Sequence, residues 1–220
     1  MSTESLYIRH NQAYSAKLFA YAPEAFKAFG EFNKQALAAG ALSVKTKELI
    51  AVAVAHITGC PYCIEAHVNK AKDQQASLEE LVESIVVATA VNAHSVFYNA
   101  INALNAYRGG EVGEDLYARD NLGKIEEVEK LNEEQFTSFT AFVHQALQPG
   151  LLTSKEKILI ALASSHITGN AYSIEIFSRQ AKEAGTTLEE LAETILVATA
   201  LKAGSALAHR VNAQQAFDHA

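Results

Sequence analysis

The 220-residue chain has no tryptophan, one methionine, three prolines and two cysteines, and basic residues are in deficit, 18 against 25 acidic. Two cysteines cannot staple a disulfide-rich secreted scaffold. With so few prolines, long segments run without the residue that breaks helices. The net charge of −7, with no basic cluster, argues against electrostatic binding to nucleic acid or to an anionic membrane surface. The apolar run LIAVAVAHITG from Leu49 is too short, and interrupted by a histidine, to span a bilayer, and the start MSTESLYIRHNQ lacks the basic-then-apolar pattern of a signal peptide. Neither a phosphate-cradling glycine loop nor a nucleophile elbow occurs. We expect a soluble cytoplasmic protein, with neither nucleic acid nor membrane as partner.

What is present is alanine, leucine, glutamate, lysine and glutamine in quantity, 49% apolar residues and only 20% charged ones. These are strong helix formers and predict an all-α fold. At an offset of 110 positions the chain aligns with itself without a gap: LSVKTKELIAVAVAHITGCPYCIEAH from Leu42 matches LLTSKEKILIALASSHITGNAYSIEIF from Leu151–Leu152, and SLEELVESIVVATA from Ser77 matches TLEELAETILVATA from Thr187. Two fused homologous helical units, packed as a pseudo-twofold pair, are expected. We divide the chain into a first repeat at 1–107, a linker at 108–131, rich in glycine and charge with room for a short helix, and a second repeat at 132–220.

Helix ends place the elements. Ser43 and Thr153 stand at N-cap positions, and Thr153 with Glu156, Ser77 with Glu80 and Thr187 with Glu190 form capping boxes. Each repeat is predicted to hold helices near 22–38 (132–147), 44–58 (154–168) and 61–72 (171–183), and a long one from 78 (188) onward. The stripe Phe26, Phe29, Phe32 recurs as Phe136, Phe139, Phe142 and is assigned to the core.

The copies differ where chemistry would sit. Glu48, Cys60, Cys63 and His67 face Ile158, Asn170, Ser173 and Phe177, whereas His56, Thr58, Gly59, Tyr62 and Glu65 are identical in both. The scaffold can thus form without the four, which disfavours a purely structural role for them. Gly59 suits a helix stop and Pro61 a helix start, which makes Cys60 an N-cap and Cys63 the third helical residue. The partial positive charge and free N–H groups of a helix start favour a thiolate. Cys60, Cys63 and His67 share one helix face, and Glu48 can fold back against it to orient the imidazole. In a reducing compartment such a pair is a redox dithiol or a metal site. Zn²⁺ on Cys60, Cys63, His67 and Glu48 has an acceptable ligand set but cramped geometry, so we assign neither metal nor cofactor. His94 faces Gly204, is unique to the first copy, and is a possible pocket residue. His56, repeated as His166, is assigned to packing or a helix end.

The pattern of Glu48, twelve positions to Cys60-x-x-Cys63, then four to His67, resembles the AhpD-like alkylhydroperoxidases of the carboxymuconolactone decarboxylase superfamily, over residues 22–105 and, in degenerate form, 132–210. The resemblance implies an all-α oligomer that reduces hydroperoxides without haem or metal. It makes Cys63 the peroxidatic cysteine, Cys60 the proton donor and resolving thiol, and His67 and Glu48 a proton relay. A dithiol reductant is implied, of lipoyl type on a protein partner in some members. Where the best-known members have a histidine just before the second cysteine, this chain has Tyr62, a possible pocket residue that its twin Tyr172 suggests is structural. Rival readings are a dithiol redox sensor or disulfide oxidoreductase, a decarboxylase or lactone enzyme like the superfamily's namesake, and a metal-binding module.

Overall fold

The computed structural model describes residues 18–108 and 117–218. The start of the chain and the glycine-rich part of the expected linker, residues 109–116, lie outside the described residues. Eleven α-helices and no strand occur among them. In the first unit α1 spans Pro23–Leu37, α2 Val44–Thr58, α3 Pro61–Asp73, α4 Leu78–Tyr98 and α5 Ala100–Tyr107. Then follow α6 Asn121–Glu129, α7 Glu133–Leu147, α8 Ser154–Thr168, α9 Ala171–Glu183, α10 Leu188–Ala208 and α11 Arg210–Asp218.

The ends arise as local chemistry dictates. Ser43 Oγ accepts from the Thr46 N–H, and all three capping boxes close in both directions. α2 and α8 stop at Gly59 and Gly169, whose φ of 64° and 68° is the left-handed conformation glycine adopts without strain. The long helices end sooner than a continuous pattern suggests. α4 breaks at Asn99 and α10 at His209, each continuing as a short second helix. α6 falls within the 108–131 stretch and packs Ile125 against Ile101 and Tyr172.

The core lies along α2 and α8, which cross each other and pack against both α4 and α10. Leu49 to Ala55 and Leu159 to Ala163 are at most 1% exposed, so both helices are buried all round rather than on one stripe. The stretches Leu78–Tyr107 and Leu188–Asp218 have mean hydropathies of 1.3 and 1.4 and are long and apolar enough to cross a membrane by length and composition. Here they are the helices that cover α2 and α8 of the two units, with 44% and 33% of their apolar windows buried. The phenylalanine stripe departs from expectation. Phe26, Phe29 and Phe32 are only half-buried, and Phe142 is 39% exposed. The outer helices α1 and α7 pack mainly on one long helix each, α10 and α4, which leaves their aromatic rows incompletely covered.

The two units clasp each other through a matched pair of contacts. Glu193 on α10 accepts from the Ala41 and Leu42 N–H groups at 2.9 and 2.8 Å and pairs with Lys47 at 3.0 Å. Glu83 on α4 does the same for Leu151, Leu152 and Lys157. Burial pushes each carboxyl up, but the two N–H bonds and the lysine together hold it below the ordinary carboxylate range. These crossed contacts fix the pseudo-twofold register, so each unit's long helix covers the start of the other's α2-type helix.

Candidate active site

The Gly59 turn reverses the chain and sets α3 beside α2, which brings Glu48, about three turns back along α2, into contact with the second turn of α3. Glu48 Oε2 and His67 Nδ1 are 2.7 Å apart, and the two residues are 3% and 7% exposed. A carboxylate this deep needs a donor, and the imidazole N–H supplies it. The contact fixes the ring: Nδ1 carries the proton toward Glu48, which leaves Nε2 to exchange protons on the opposite edge.

Cys60 caps α3 with its sulfur. The Cys63 N–H donates to Cys60 Sγ at 3.2 Å, and the two cysteines, with Cα atoms 5.3 Å apart, are joined as a disulfide. Cys60 is fully buried and Cys63 is 7% exposed. A helix N-terminus that offers N–H groups to sulfur is a place where thiolate is favoured over thiol. Ala55, Tyr62 and Ile64 pack around the pair, and Ala208, from the second unit's α10, closes it from across the pseudo-twofold. His209 follows at once and meets the Tyr62 ring edge-on, with centroids 5.7 Å apart.

Glu48, Cys60, Cys63 and His67 thus come together in one place, with Tyr62 at its border. His94 does not join them. It lies across the pseudo-twofold in the second unit, its Nδ1 2.9 Å from Ser173 Oγ, the counterpart of Cys63. The reason is the exchange of long helices: α4 covers the second unit's site and α10 the first unit's. His94 therefore lines a cavity beside Ile158 and Phe177. His56 bonds the Val52 carbonyl at 2.7 Å, as His166 bonds that of Leu162, in keeping with a helix-end role. His209 was missed by reading the sequence one repeat at a time. The signal was available in the offset alignment: it faces Asn99, whose Oδ1 accepts at 2.8 Å from Asn170, the counterpart of Cys60.

The second copy of the site is rebuilt rather than empty. Asn170 replaces Cys60 as cap, its Oδ1 accepting from the Ser173 N–H at 2.7 Å, and Phe177 with Ile158 fills the volume of the His67–Glu48 pair. An apolar groove of about 490 Å³ runs along the first unit between α1 and α10, lined by Phe26, Phe29, Leu207 and Arg210.

Comparison with known proteins agrees with this duplicated arrangement. The chain is 47% identical over 77 residues, 35% of its own length and 69% of the other's, to a Paracoccus denitrificans protein called uncharacterized protein 4 in cox locus. It is 40% identical over 95 residues, 37% of its length and 84% of the other's, to an uncharacterized protein of Haemophilus influenzae. Among solved structures it resembles a candidate gamma-carboxymuconolactone decarboxylase subunit from Burkholderia xenovorans LB400, with a TM-score of 0.64 over 96% of this chain and 94% of that one. At 18% identity that likeness shows the fold alone. The sequence profile of the carboxymuconolactone decarboxylase family matches twice, over residues 23–106 and 133–216, which spans both units; the chain belongs to that family, as a tandem-repeat member.

Proposed function

We propose that the protein is a thiol-dependent peroxidase of AhpD-like type, reducing hydrogen peroxide or small organic hydroperoxides with Cys63 as the attacking sulfur. The observation that carries this reading is the buried Glu48–His67 pair set one helical turn from two adjacent cysteines at a helix start, and replaced as a set in the other unit. The Cys63 thiolate attacks a peroxide oxygen, the O–O bond breaks, and the leaving alkoxide takes a proton as alcohol. Cys63 is then a sulfenic acid. Cys60 attacks that sulfur, water leaves, and the disulfide forms. An external dithiol reduces it, and one hydroperoxide and two thiol hydrogens yield one alcohol, one water and one oxidised dithiol. His67 Nε2 is the group we assign to proton transfer, with Glu48 orienting it.

The depth of the sulfurs supports a small substrate and a slender reductant, such as a lipoyl-type dithiol on a partner protein, over exchange with a broad protein surface. In this scheme residues 1–107 form the active unit, 132–220 stand in for a partner subunit, and the chain works in the reducing cytoplasm as a homo-oligomer. The family's namesake chemistry is the second reading, favoured by the fold likeness to the Burkholderia protein. The cysteine pair has no role in it.

Single-turnover mass spectrometry decides. Reduced protein titrated with cumene hydroperoxide is expected to close Cys60–Cys63 rapidly, and Cys60→Ser to accumulate a sulfenic acid at Cys63. If neither thiol outpaces free cysteine, the peroxidase reading fails.

A further inference from the structure

The cavity beside His94 is a second site, and its polar groups define what it takes. It encloses about 360 Å³, within the range of small-molecule pockets. Its wall is mostly apolar, with Tyr98, Phe139, Ile158 and Phe177 on it, and no lysine, arginine, aspartate or glutamate among its lining residues. The Tyr98 ring stacks on His94 at a centroid distance of 4.0 Å.

The tautomer of His94 follows from a hydroxyl chain. Thr168 Oγ1 donates its hydrogen to the Ser165 carbonyl at 2.9 Å, so Ser95, 2.9 Å away, must donate to Thr168. Ser95 has then spent its hydrogen and accepts from Ser173 at 3.2 Å. Ser173 in turn has none left for His94, so Nδ1 of His94 is the donor at 2.9 Å. Nε2 is left as a lone-pair acceptor with no protein partner among the described residues. Burial holds this imidazole neutral, pushing its pKa down to about 4. Thr140, His144 and Gln148 also line the cavity, but Thr140 bonds the Phe136 carbonyl and His144 pairs with Gln148. The remaining polar group is Gln180 on α9, whose Oε1 is buried without a hydrogen-bond partner. An unpaired acceptor of this kind calls for a donor.

We propose that the second-unit cavity binds a small neutral molecule with an apolar, ring-sized body and a hydroxyl group that donates to His94 Nε2 or Gln180 Oε1. The absence of lysine, arginine, aspartate and glutamate from the lining disfavours carboxylates and amines, and the two orphan acceptors disfavour a purely apolar guest. The corresponding place in the first unit cannot do this: Gly204 stands opposite His94, Lys70 opposite Gln180, and Ala208 opposite Tyr98. The site is independent of peroxide chemistry at Cys63 and stands whether or not that reading holds.

The test uses the full chain and p-cresol as probe, followed by saturation-transfer NMR and calorimetry. Toluene, which lacks only the hydroxyl, and 4-methylbenzoate, which replaces it with an anion, are the comparisons. Saturable binding of p-cresol is expected, roughly 3- to 10-fold tighter than toluene, as one net hydrogen bond predicts, with 4-methylbenzoate weaker than either. His94→Phe and Gln180→Leu should each reduce the preference for p-cresol over toluene, and a double variant should abolish it. No saturable binding of p-cresol, equal affinity for toluene, or a preference that survives the double variant overturns the proposal. Chemical-shift changes confined to residues of the first unit would overturn it too.

Discussion

The second unit supplies a control for the buried pair, because Ile158 and Phe177 show the same scaffold built without charge. Replacing His67 alone by phenylalanine leaves the Glu48 carboxylate, 3% exposed, without its donor, and breaking one partner of a buried ion pair costs about 3–5 kcal/mol. Replacing Glu48 alone by isoleucine leaves an imidazole that can stay neutral, with one unsatisfied N–H, at about 1–3 kcal/mol. The double variant removes both polar groups and reproduces the second unit's pairing. Its cost is overpacking, since isoleucine and phenylalanine together exceed glutamate and histidine in volume, about 1–3 kcal/mol. The singles should therefore sum to about 4–8 kcal/mol and the double should cost less than that sum, a coupling of about 1–7 kcal/mol. Urea unfolding followed by far-ultraviolet circular dichroism on the four proteins measures it. A coupling below about 1 kcal/mol would refute the claim that these side chains satisfy each other in the core. All three variants should lose rapid disulfide formation with peroxide, and the stable double variant would separate loss of chemistry from loss of fold.

Other consequences can be checked separately. His94 carries a folded-state pKa of about 4 against an ordinary 6.5, so its neutral form is the stable one in the fold. Its contribution is complete above about pH 6.5 and is lost as pH falls toward 4; between pH 7 and 5 it should remove about 2 kcal/mol, and His94→Gln should flatten that part of the stability curve. Tyr62→His should raise the rate of disulfide formation, roughly tenfold, if the position passes protons. An unchanged rate would assign Tyr62 to packing, as its twin Tyr172 suggests. A Cβ at Gly40 would run into the Glu193 carboxylate and one at Gly150 into that of Glu83. Gly40→Ala and Gly150→Ala should each destabilise, by about 1–3 kcal/mol and to a similar degree, measured by thermal melts. A large inequality between the two would mean that the clasp is not symmetric.

Much of this molecule was determined locally, and that part the sequence discloses. Capping boxes at Ser77, Thr153 and Thr187, glycine stops at 59 and 169, and the helical composition act over a few residues, so helix types and most ends follow from the chain itself. The offset comparison marks Glu48, Cys60, Cys63 and His67 for the same reason: three lie on one helix face, and the turn that returns Glu48 to them is a single glycine. What distance along the chain separates, only the tertiary structure decided. Nothing in the local pattern marks Glu83 or Glu193; the fold carries each across the pseudo-twofold to the other unit's N–H groups. His94 reads as a possible pocket residue of the first repeat, yet the exchange of long helices delivers it to Ser173 of the second, while bringing Ala208 and His209 to the cysteine site. The half-buried phenylalanine rows have the same origin, because periodicity shows that a helix has an apolar face but not how completely its neighbours cover it. Sequence pattern fixes what each helix can offer; which helix receives it depends on packing energies summed over both units at once.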